Sequence, residues 1–271
     1  MPLGTDSRPR LVATDLDGTI VRRDMTISDR TVAALQGVEA LGVPVVLVTG
    51  RPARWMAVVA DRLGHTGLAV CANGAVLYDL HTETVVWTEP LAVDVGLDVA
   101  HRIRTAVPGI AFAVETATGF GHEPTYLARY DAGLERAVAP VEELYTEPAL
   151  KLLARHEAMT PDELVAVARA VVGDLVEVTH SATESALLEI SAAGVSKASG
   201  LARFATSRGI DAADVVAFGD MPNDLPMLAW AGLAYGVSDG HPDVLAAVAH
   251  LVDPPELDGV ARTLESLFTL R

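Results

Sequence analysis

Two aspartates, Asp15 and Asp17, stand two residues apart directly after a short apolar run and just before Gly18. A short, almost uniformly apolar run is typical of a strand buried on both faces. The glycine helps the chain to leave strand geometry, so that both carboxyls can converge on one centre. Carboxylates this close repel each other unless a cation neutralises them, and magnesium bridges carboxylate and phosphate oxygens. One aspartate can then attack phosphorus while its neighbour moves the proton, so the pattern predicts metal-assisted phosphoryl chemistry.

Other polar side chains follow apolar runs in the same way. Thr49 and Gly50 follow the run at 43–48, and Asp220 comes shortly after the run at 215–218. The Thr49 hydroxyl and backbone N–H groups at a helix start can hold a phosphoryl oxygen. Lys197 supplies a compact positive charge that offsets the nucleophile and the phosphoryl group, and Asp220 supplies a carboxylate ligand.

Residues 14–19 resemble the first motif, Asp-x-Asp-Gly-Thr, of the haloacid dehalogenase (HAD) superfamily. The other motifs follow in order, with Thr49 in the second, Lys197 in the third, an acidic segment at 219–224 as the fourth, and a late segment at 257–260. Together with an insertion between residues 73–75 and Lys197, the chain resembles a Cof-type (IIB) HAD phosphatase with a C2 cap. The likeness covers nearly the whole chain.

The resemblance implies a role for each motif residue. The implied site comprises Asp15, Asp17 and Lys197 as catalytic residues, Thr49, Gly50 and Asn223 as substrate-binding residues, and Asp15, Asp17, Asp220 and Asp224 around Mg²⁺. In this assignment Asp15 is the nucleophile, and Asp17 is the general acid and base that also gives its backbone carbonyl to the metal. Asn223 either contacts the phosphoryl group or orients its neighbours, and Asp224 either supports the metal or holds Lys197. Both also fit helix capping, and Arg51 is interpreted as a solvated residue at a helix start, outside the site.

The elements that must position these residues alternate along the chain. Strands are predicted at 11–14, 43–48, 68–72 and 215–218, and helices at 28–41, 52–63, 197–207, 242–249 and 257–267. This alternation predicts an α/β fold with a Rossmann-like parallel-sheet core, whose site lies at the carboxyl ends of the strands.

The middle of the chain breaks this rhythm, because strand-like and helical runs are mixed between residues 84 and 188. We interpret it as an inserted α+β cap that selects the substrate. The predicted domains are a catalytic core at 1–83 and 190–271 and a cap at 84–189. Within the cap, Lys151 is expected to be an exposed lysine at a strand edge, and Glu189 is assigned a structural role.

The bulk composition narrows the class of partner. The 271 residues carry a formal net charge of −16, which argues against nucleic acid or an anionic membrane surface. One cysteine, Cys71, lies in an apolar run and is read as buried and inert. The polar stretch at 1–10 lacks the apolar run of a signal peptide, and no run reaches the roughly 20 apolar residues of a membrane helix. We therefore expect a cytoplasmic protein, and the sequence leaves open whether it is a monomer or a dimer.

The expected reaction is the hydrolysis of a small phosphate monoester, such as a sugar phosphate, a nucleotide or a phosphorylated cofactor. Two alternatives stay open at this point. A sugar-phosphate phosphomutase would pass the phosphoryl group to a second hydroxyl instead of water. A non-enzymatic phospho-aspartate switch would keep it, although a dedicated acid and base and a cap argue against this. The sequence does not specify the substrate.

Overall fold

The computed structural model describes residues 8–64, 66–117, 119–128, 137–181 and 186–270, so most of the polar stretch at 1–10 lies outside the described residues. The strands are β1 (Leu11–Thr14), β2 (Val45–Val48), β3 (Leu68–Cys71), β4 (Val76–Asp79), β5 (Thr84–Thr88), β6 (Ala111–Glu115), β7 (Phe120–His122), β8 (Ala137–Val138), β9 (Lys151–Arg155), β10 (Val176–Thr179), β11 (Leu187–Ala192), β12 (Val215–Gly219), β13 (Leu233–Val237) and β14 (His250–Val252). The helices are α1 (Asp29–Ala40), α2 (Ala57–Leu63), α3 (Val93–Ala106), α4 (Val141–Leu144), α5 (Pro161–Val172), α6 (Lys197–Ser207), α7 (Leu225–Trp230), α8 (Pro242–Ala247) and α9 (Gly259–Phe268).

The first sheet has the strand order β14-β13-β12-β1-β2-β3-β4-β5. The strands from β14 to β3 are parallel, and β4 runs antiparallel to β3. Strands β1, β2 and β12 are buried along their whole length, which explains their apolar composition. The chain moves outward from β1 in one direction through β2 and β3, and in the other through β12 and β13. Strand β1 is therefore the topological switch point, where α/β sheets place their ligands.

Local sequence explains where these elements begin. Helix α1 starts after Ser28, whose side chain accepts the N–H of Thr31. Strand β2 starts at Val45 and not at the predicted residue 43, because Pro44 has no N–H to donate and uses its carbonyl to accept the N–H of Val12. The helix predicted at 52–63 is a 3-10 turn at Ala53–Trp55 followed by α2.

The second sheet has the order β10-β11-β9-β6-β7-β8 and belongs to the inserted segment. Alternate residues of its strands, such as Phe112, Leu152 and Leu188, are fully buried in one apolar core with α3 and α5. The opposite face carries a smaller apolar cluster of Ala111, Ala113, Tyr126 and Leu153. Charged residues, among them Lys151 and Glu189, share that opposite face.

The contacts divide the chain into two compact units, one formed by Met1–Trp87 and Ser196–Arg271 and the other by Thr88–Val195. The sequence had placed these junctions at 83/84 and 189/190. The first junction lies later because β5, which begins at Thr84, extends the first sheet. The second lies later because β11 crosses 189/190 as an interior strand of the second sheet. Among the helices of the described ranges, none is long and apolar enough to cross a bilayer.

Lys151 is not the exposed edge lysine that was expected. Strand β9 lies between β11 and β6, so Lys151 is in the interior of the sheet, and only 5% of its surface is exposed. Its Nζ donates to Oε2 of Glu189 at 2.7 Å, and Glu189 is itself buried. The prediction was wrong because strand order, which sequence does not specify, decides which strands lie at an edge.

Candidate active site

The carboxyl ends of adjacent strands bring the predicted residues together. Asp15 follows β1, and its N–H continues the ladder by donating to the carbonyl of Phe218 in β12 at 3.0 Å. Thr49 follows β2, and its N–H donates to the carbonyl of Val70 in β3 at 2.8 Å. Asp220 follows β12 directly. Since β12, β1 and β2 are neighbours, these residues converge on one edge of the sheet.

Lys197 connects two of the aspartates. Its Nζ donates to Oδ1 of Asp15 at 2.5 Å and to Oδ1 of Asp224 at 2.6 Å. Lys197, Asp15 and Asp224 are 1%, 5% and 0% exposed, so the ion pairs are shielded from solvent. Lys197 is the first residue of α6, whose N-cap Ser196 forms a capping box with Ser199.

Two close approaches position Lys197. A Cβ added to Gly74 would lie 2.0 Å from the carbonyl oxygen of Ser196, and one added to Gly200 would lie 2.7 Å from Cγ1 of Val70. Only glycine at both positions lets α6 begin against the end of β3. The glycines thus fix the distance from the lysine to the end of β1.

Asp220 is oriented by the turn that follows Asp15. The hydroxyl of Thr19 donates to Oδ1 of Asp220 at 2.9 Å. Gly18 has a φ of +81°, and a Cβ at this residue would lie 2.4 Å from Oδ2 of Asp220. The Asp-Gly-Thr sequence therefore gives Asp220 both space and a hydrogen-bond donor.

Burial and mutual repulsion perturb the acidic groups. Burial and the carboxylates of Asp224 and Asp17 raise the pKa of Asp15 to about 7, against the lowering effect of Lys197. Burial, Asp15 and Asp224 raise the pKa of Asp220 well above its ordinary value. Burial alone would lower the pKa of Lys197, but Asp15 and Asp224 outweigh it and raise this pKa. The lysine is charged, and its single charge faces three buried acids.

This excess of carboxylates fits a hard cation. One carboxylate oxygen from each of Asp15, Asp220 and Asp224 lies within 4.8 Å of the others. Asp224 is already occupied, because Oδ1 binds Lys197 and Oδ2 accepts the N–H groups of Asp220 and Met221, both at 3.0 Å. Asp15 and Asp220 are therefore the carboxylates best suited to hold Mg²⁺, and all the donors are the oxygen atoms that it prefers.

The fourth motif caps a different element from the expected one. Asp224 makes no side-chain cap bond to α7, but its Oδ2 accepts the N–H of Met221, the N-cap of the 3-10 turn at Pro222–Asp224. Asn223 instead uses Nδ2 to donate to Oδ1 of Asn73 at 3.0 Å, and the N–H of Asn73 donates to the carbonyl of Thr49 at 3.1 Å. Asn73 adopts a left-handed φ of +54°, which asparagine tolerates better than most residues. Asn223 and Thr49 are thus connected through Asn73.

Arg51 contacts a predicted site residue, although the sequence interpretation left it out of the site. Its Nε donates to Oδ2 of Asp17 at 2.7 Å, and its Nη2 contacts Oδ1 of the same carboxylate. Its side chain is 12% exposed, whereas that of Asp17 is 48% exposed. Its position provided a signal, since Arg51 comes directly after Gly50 at the end of a strand next to β1. A bidentate guanidinium fixes the orientation of a carboxylate as well as its charge.

Known proteins resemble this chain in both sequence and structure. A family model described as haloacid dehalogenase-like hydrolase matches residues 12–264. A 5-amino-6-(5-phospho-D-ribitylamino)uracil phosphatase of Bacillus subtilis is 26% identical over 274 aligned positions, covering 98% of this chain and 100% of the relative. A pyridoxal phosphate phosphatase of Escherichia coli is also 26% identical, with 95% and 98% coverage.

Solved structures show the same fold. A haloacid dehalogenase-like hydrolase from B. subtilis superposes with a TM-score of 0.82 at 20% identity, covering 94% of this chain and 99% of that one. A HAD subclass IIB sugar phosphatase superposes with a TM-score of 0.78 at 19% identity, covering 96% and 99%. These likenesses confirm the α/β fold with its Rossmann-like core that the strand and helix pattern predicted.

Proposed function

This chain belongs to the haloacid dehalogenase-like hydrolase family, and from that premise we propose that it is a magnesium-dependent phosphatase in which Asp15 attacks small phosphate monoesters. Asp17 is the general acid and base, and Lys197 stabilises the negative charge of the transferring group. The proposal extends the family assignment to a mechanism, a metal and a set of residues.

One observation carries this proposal, namely the buried contact of Asp15 with Lys197 beside two further aspartates. Even beside Lys197, burial and the neighbouring carboxylates raise the pKa of Asp15 to about 7, so a bound cation is also needed to keep the nucleophilic carboxylate fully ionised at neutral pH. Oδ1 of Asp15 accepts from Lys197, so Oδ2 is the oxygen left to attack phosphorus. Burial excludes bulk water from this centre, which strengthens each of these interactions.

In the first step, Oδ2 of Asp15 forms a bond to phosphorus while the ester P–O bond breaks, and Asp17 protonates the departing oxygen. In the second step, Asp17 takes a proton from water while the water oxygen bonds to phosphorus, and the bond from phosphorus to Oδ2 of Asp15 breaks, which releases phosphate and restores the Asp15 carboxylate. When bound, Mg²⁺ supplies Lewis-acid stabilisation of the phosphoryl charge. The Thr49 hydroxyl and the Gly50 backbone are suited to hold phosphoryl oxygens. Arg51 holds the carboxylate of Asp17 in position for both steps.

Substrate choice belongs, in this proposal, to the inserted unit. The curated relatives are named for a phosphoribityl-aminouracil and for pyridoxal phosphate, and one structural relative for sugar phosphates. These compounds share a phosphate monoester on a small polar molecule. We infer the same class for this chain, and its net charge of −16 supports a metabolite over a polyanionic partner.

Two asparagine variants test the assignment of the motif aspartates. Asp15→Asn should form no phosphoenzyme and show no turnover, because an amide cannot displace at phosphorus. Asp17→Asn should lose more activity with alkyl than with aryl phosphates, because a nitrophenolate leaves without a proton. Its second step still lacks a base, so aspartyl-phosphate should accumulate on Asp15. Rapid-quench mass spectrometry with p-nitrophenyl phosphate measures both outcomes.

A phosphoadduct on the Asp15→Asn protein would refute the nucleophile assignment. Equal losses with aryl and alkyl esters in Asp17→Asn, without a trapped adduct, would refute the acid and base assignment. The wild-type protein separates the alternatives. Sustained phosphate release without a sugar bisphosphate excludes a mutase, and a stable adduct without turnover would indicate a switch.

A further inference from the structure

The face of the second sheet that turns away from α3 and α5 carries an unusual set of buried ionisable residues. Side chains alternate along a strand, so this face receives Glu115 from β6, Lys151 and Arg155 from β9, and Glu189 from β11. All four residues are 3–5% exposed. A buried charge is costly unless it is paired, so each of the four requires a partner.

Lys151 and Glu189 satisfy this requirement between themselves. Nζ of Lys151 donates to Oε2 of Glu189, and the hydroxyl of Ser181 donates to Oε1 of the same carboxylate. Strand register also places Glu115 directly opposite Lys151. One lysine therefore lies between two glutamates, and this part of the face has no positive charge to spare.

Arg155 is different, because register gives it apolar neighbours on both sides. It lies opposite Ala111 on β6 and opposite Leu187 on β11. Its guanidinium packs over the ring of Tyr126, with 5.4 Å from Cζ to the ring centroid. A side-chain hydrogen bond also joins the guanidinium to Tyr126, but the buried Nε and Nη1 find no hydrogen-bond partner among the described residues. A buried guanidinium with two unused donors is a costly arrangement unless a ligand completes it.

We propose that Arg155 is the anchor of an anion-binding site on the second unit, which takes a carboxylate or phosphate group through Nε or Nη1. Arg155 is the last residue of β9, and the following residues become partly and then fully exposed. Because Nε and Nη1 are themselves shielded from solvent, we expect an anion to enter from this end of the strand. The buried ring of Tyr126 and the half-buried rings of Phe120 and His122 provide an aromatic surface beside the charge.

Two sources can supply such an anion, namely a second acidic group of the substrate or a separate small acid. The first source rests on the proposed phosphatase function, whereas the second does not. Glycerol 3-phosphate and 3-phosphoglycerate form a matched pair, because the first carries a hydroxymethyl group where the second carries a carboxylate. Fructose 6-phosphate and fructose 1,6-bisphosphate form the corresponding pair for a second phosphate.

The experiment measures the inhibition constant of each compound against p-nitrophenyl phosphate hydrolysis, so none of them needs to be turned over. If the anion belongs to the substrate, wild type should bind the acidic member of at least one pair more tightly. Arg155→Gln should reduce that preference roughly 10- to 100-fold, the range for a hydrogen bond to a charged group. Arg155→Lys should retain part of it. Arg169→Gln is the control, because Nε and Nη2 of that arginine both donate to the carbonyl of Val178 in the same unit, and this variant should keep the preference.

Free D-glycerate distinguishes the second source. As a separate effector it should raise the melting temperature of wild type and change turnover without competing with the substrate, and Arg155→Gln should lose both effects. The same melting measurement tests the site even if p-nitrophenyl phosphate is not hydrolysed, an outcome that would count against the proposed function alone. Absence of any anion preference and of any D-glycerate effect in wild type would overturn the proposal. The proposal would also be overturned if the anion preference or the D-glycerate effect persisted in an Arg155→Gln protein that melts cooperatively.

Discussion

Replacement of Lys197 by methionine removes one charge from the centre of the site while keeping most of the side-chain volume. The lysine is 1% exposed and donates to Asp15 and Asp224 at 2.5 and 2.6 Å. Without it, three buried carboxylates face one another with no cation from the protein. The variant therefore separates two consequences, a loss of stability and a loss of rate.

Removing one partner of a buried ion pair costs about 3–5 kcal/mol. At about 2–4 °C per kcal/mol for a domain of this size, Lys197→Met should melt roughly 6–20 °C below wild type. The second variant, Lys197→Met with Asp224→Asn, removes an acid together with the lysine. It should recover part of the melting temperature, since fewer unpaired charges remain buried.

The rate should not recover with the stability. Loss of one charge stabiliser from a water-excluded site lowers kcat about 10²–10³-fold. Without the lysine, the pKa of Asp15 should rise above its value of about 7, so less of the nucleophile is ionised at neutral pH. The double variant should therefore be more stable than Lys197→Met and remain at least as slow.

Steady-state hydrolysis of p-nitrophenyl phosphate and thermal unfolding by circular dichroism measure the two quantities. Arg203→Met provides the control, because it removes an exposed cation from the same helix, one that packs over Trp87 at 4.2 Å. If the double variant regained both stability and wild-type turnover, Lys197 would be a structural counter-charge and its proposed role in transition-state stabilisation would be wrong.

Three further predictions concern the metal, Arg51 and Gly18. Because burial raises the pKa of Asp15 from an ordinary 3.8 to about 7, metal-free protein should lose stability as pH rises through that range. Mg²⁺ should therefore raise the melting temperature more at pH 8 than at pH 5, and an equal shift at both would contradict the assigned ligands. Arg51→Met should lower kcat for alkyl phosphates more than for p-nitrophenyl phosphate, because it releases the general acid Asp17; an equal loss would leave Arg51 without a positioning role. Gly18→Ala should lower activity more than Gly42→Ala, since both have a left-handed φ but only the Gly18 Cβ would meet Asp220; equal effects would show that backbone strain alone is responsible.

The family, the fold class and the identity of several converging residues could be predicted from the sequence. Motif spacing placed Asp15, Asp17, Thr49 and Asp220 after buried strands, and parallel strands bring such positions to one edge. The apolar run before each residue was sufficient for this prediction, because strands buried on both faces are apolar throughout. The enzyme class, a phosphatase, is supported by the curated relatives as well.

What could not be predicted are the partners within the site. Arg51 was interpreted as a solvated residue, yet its guanidinium binds the carboxylate of Asp17. Asn73 and Asn223 are 150 residues apart and meet through one hydrogen bond. Which donor reaches which acceptor depends on rotamers and on the close approach of α6 to β3, and neither has a periodic signature in the sequence.

The inserted unit shows most clearly which features the sequence predicts and which depend on the tertiary structure. A strand-like run could be read along β9, and it predicted a strand at Lys151. Its position in the sheet could not be read, because strand order follows from pairings between distant segments. That order buries Lys151 beside Glu189 and leaves Arg155 between Ala111 and Leu187. The sequence by itself determined which residues carry charge, and the tertiary structure decided which of those charges are neutralised within the protein, because neutralisation requires contact and contact is set by register.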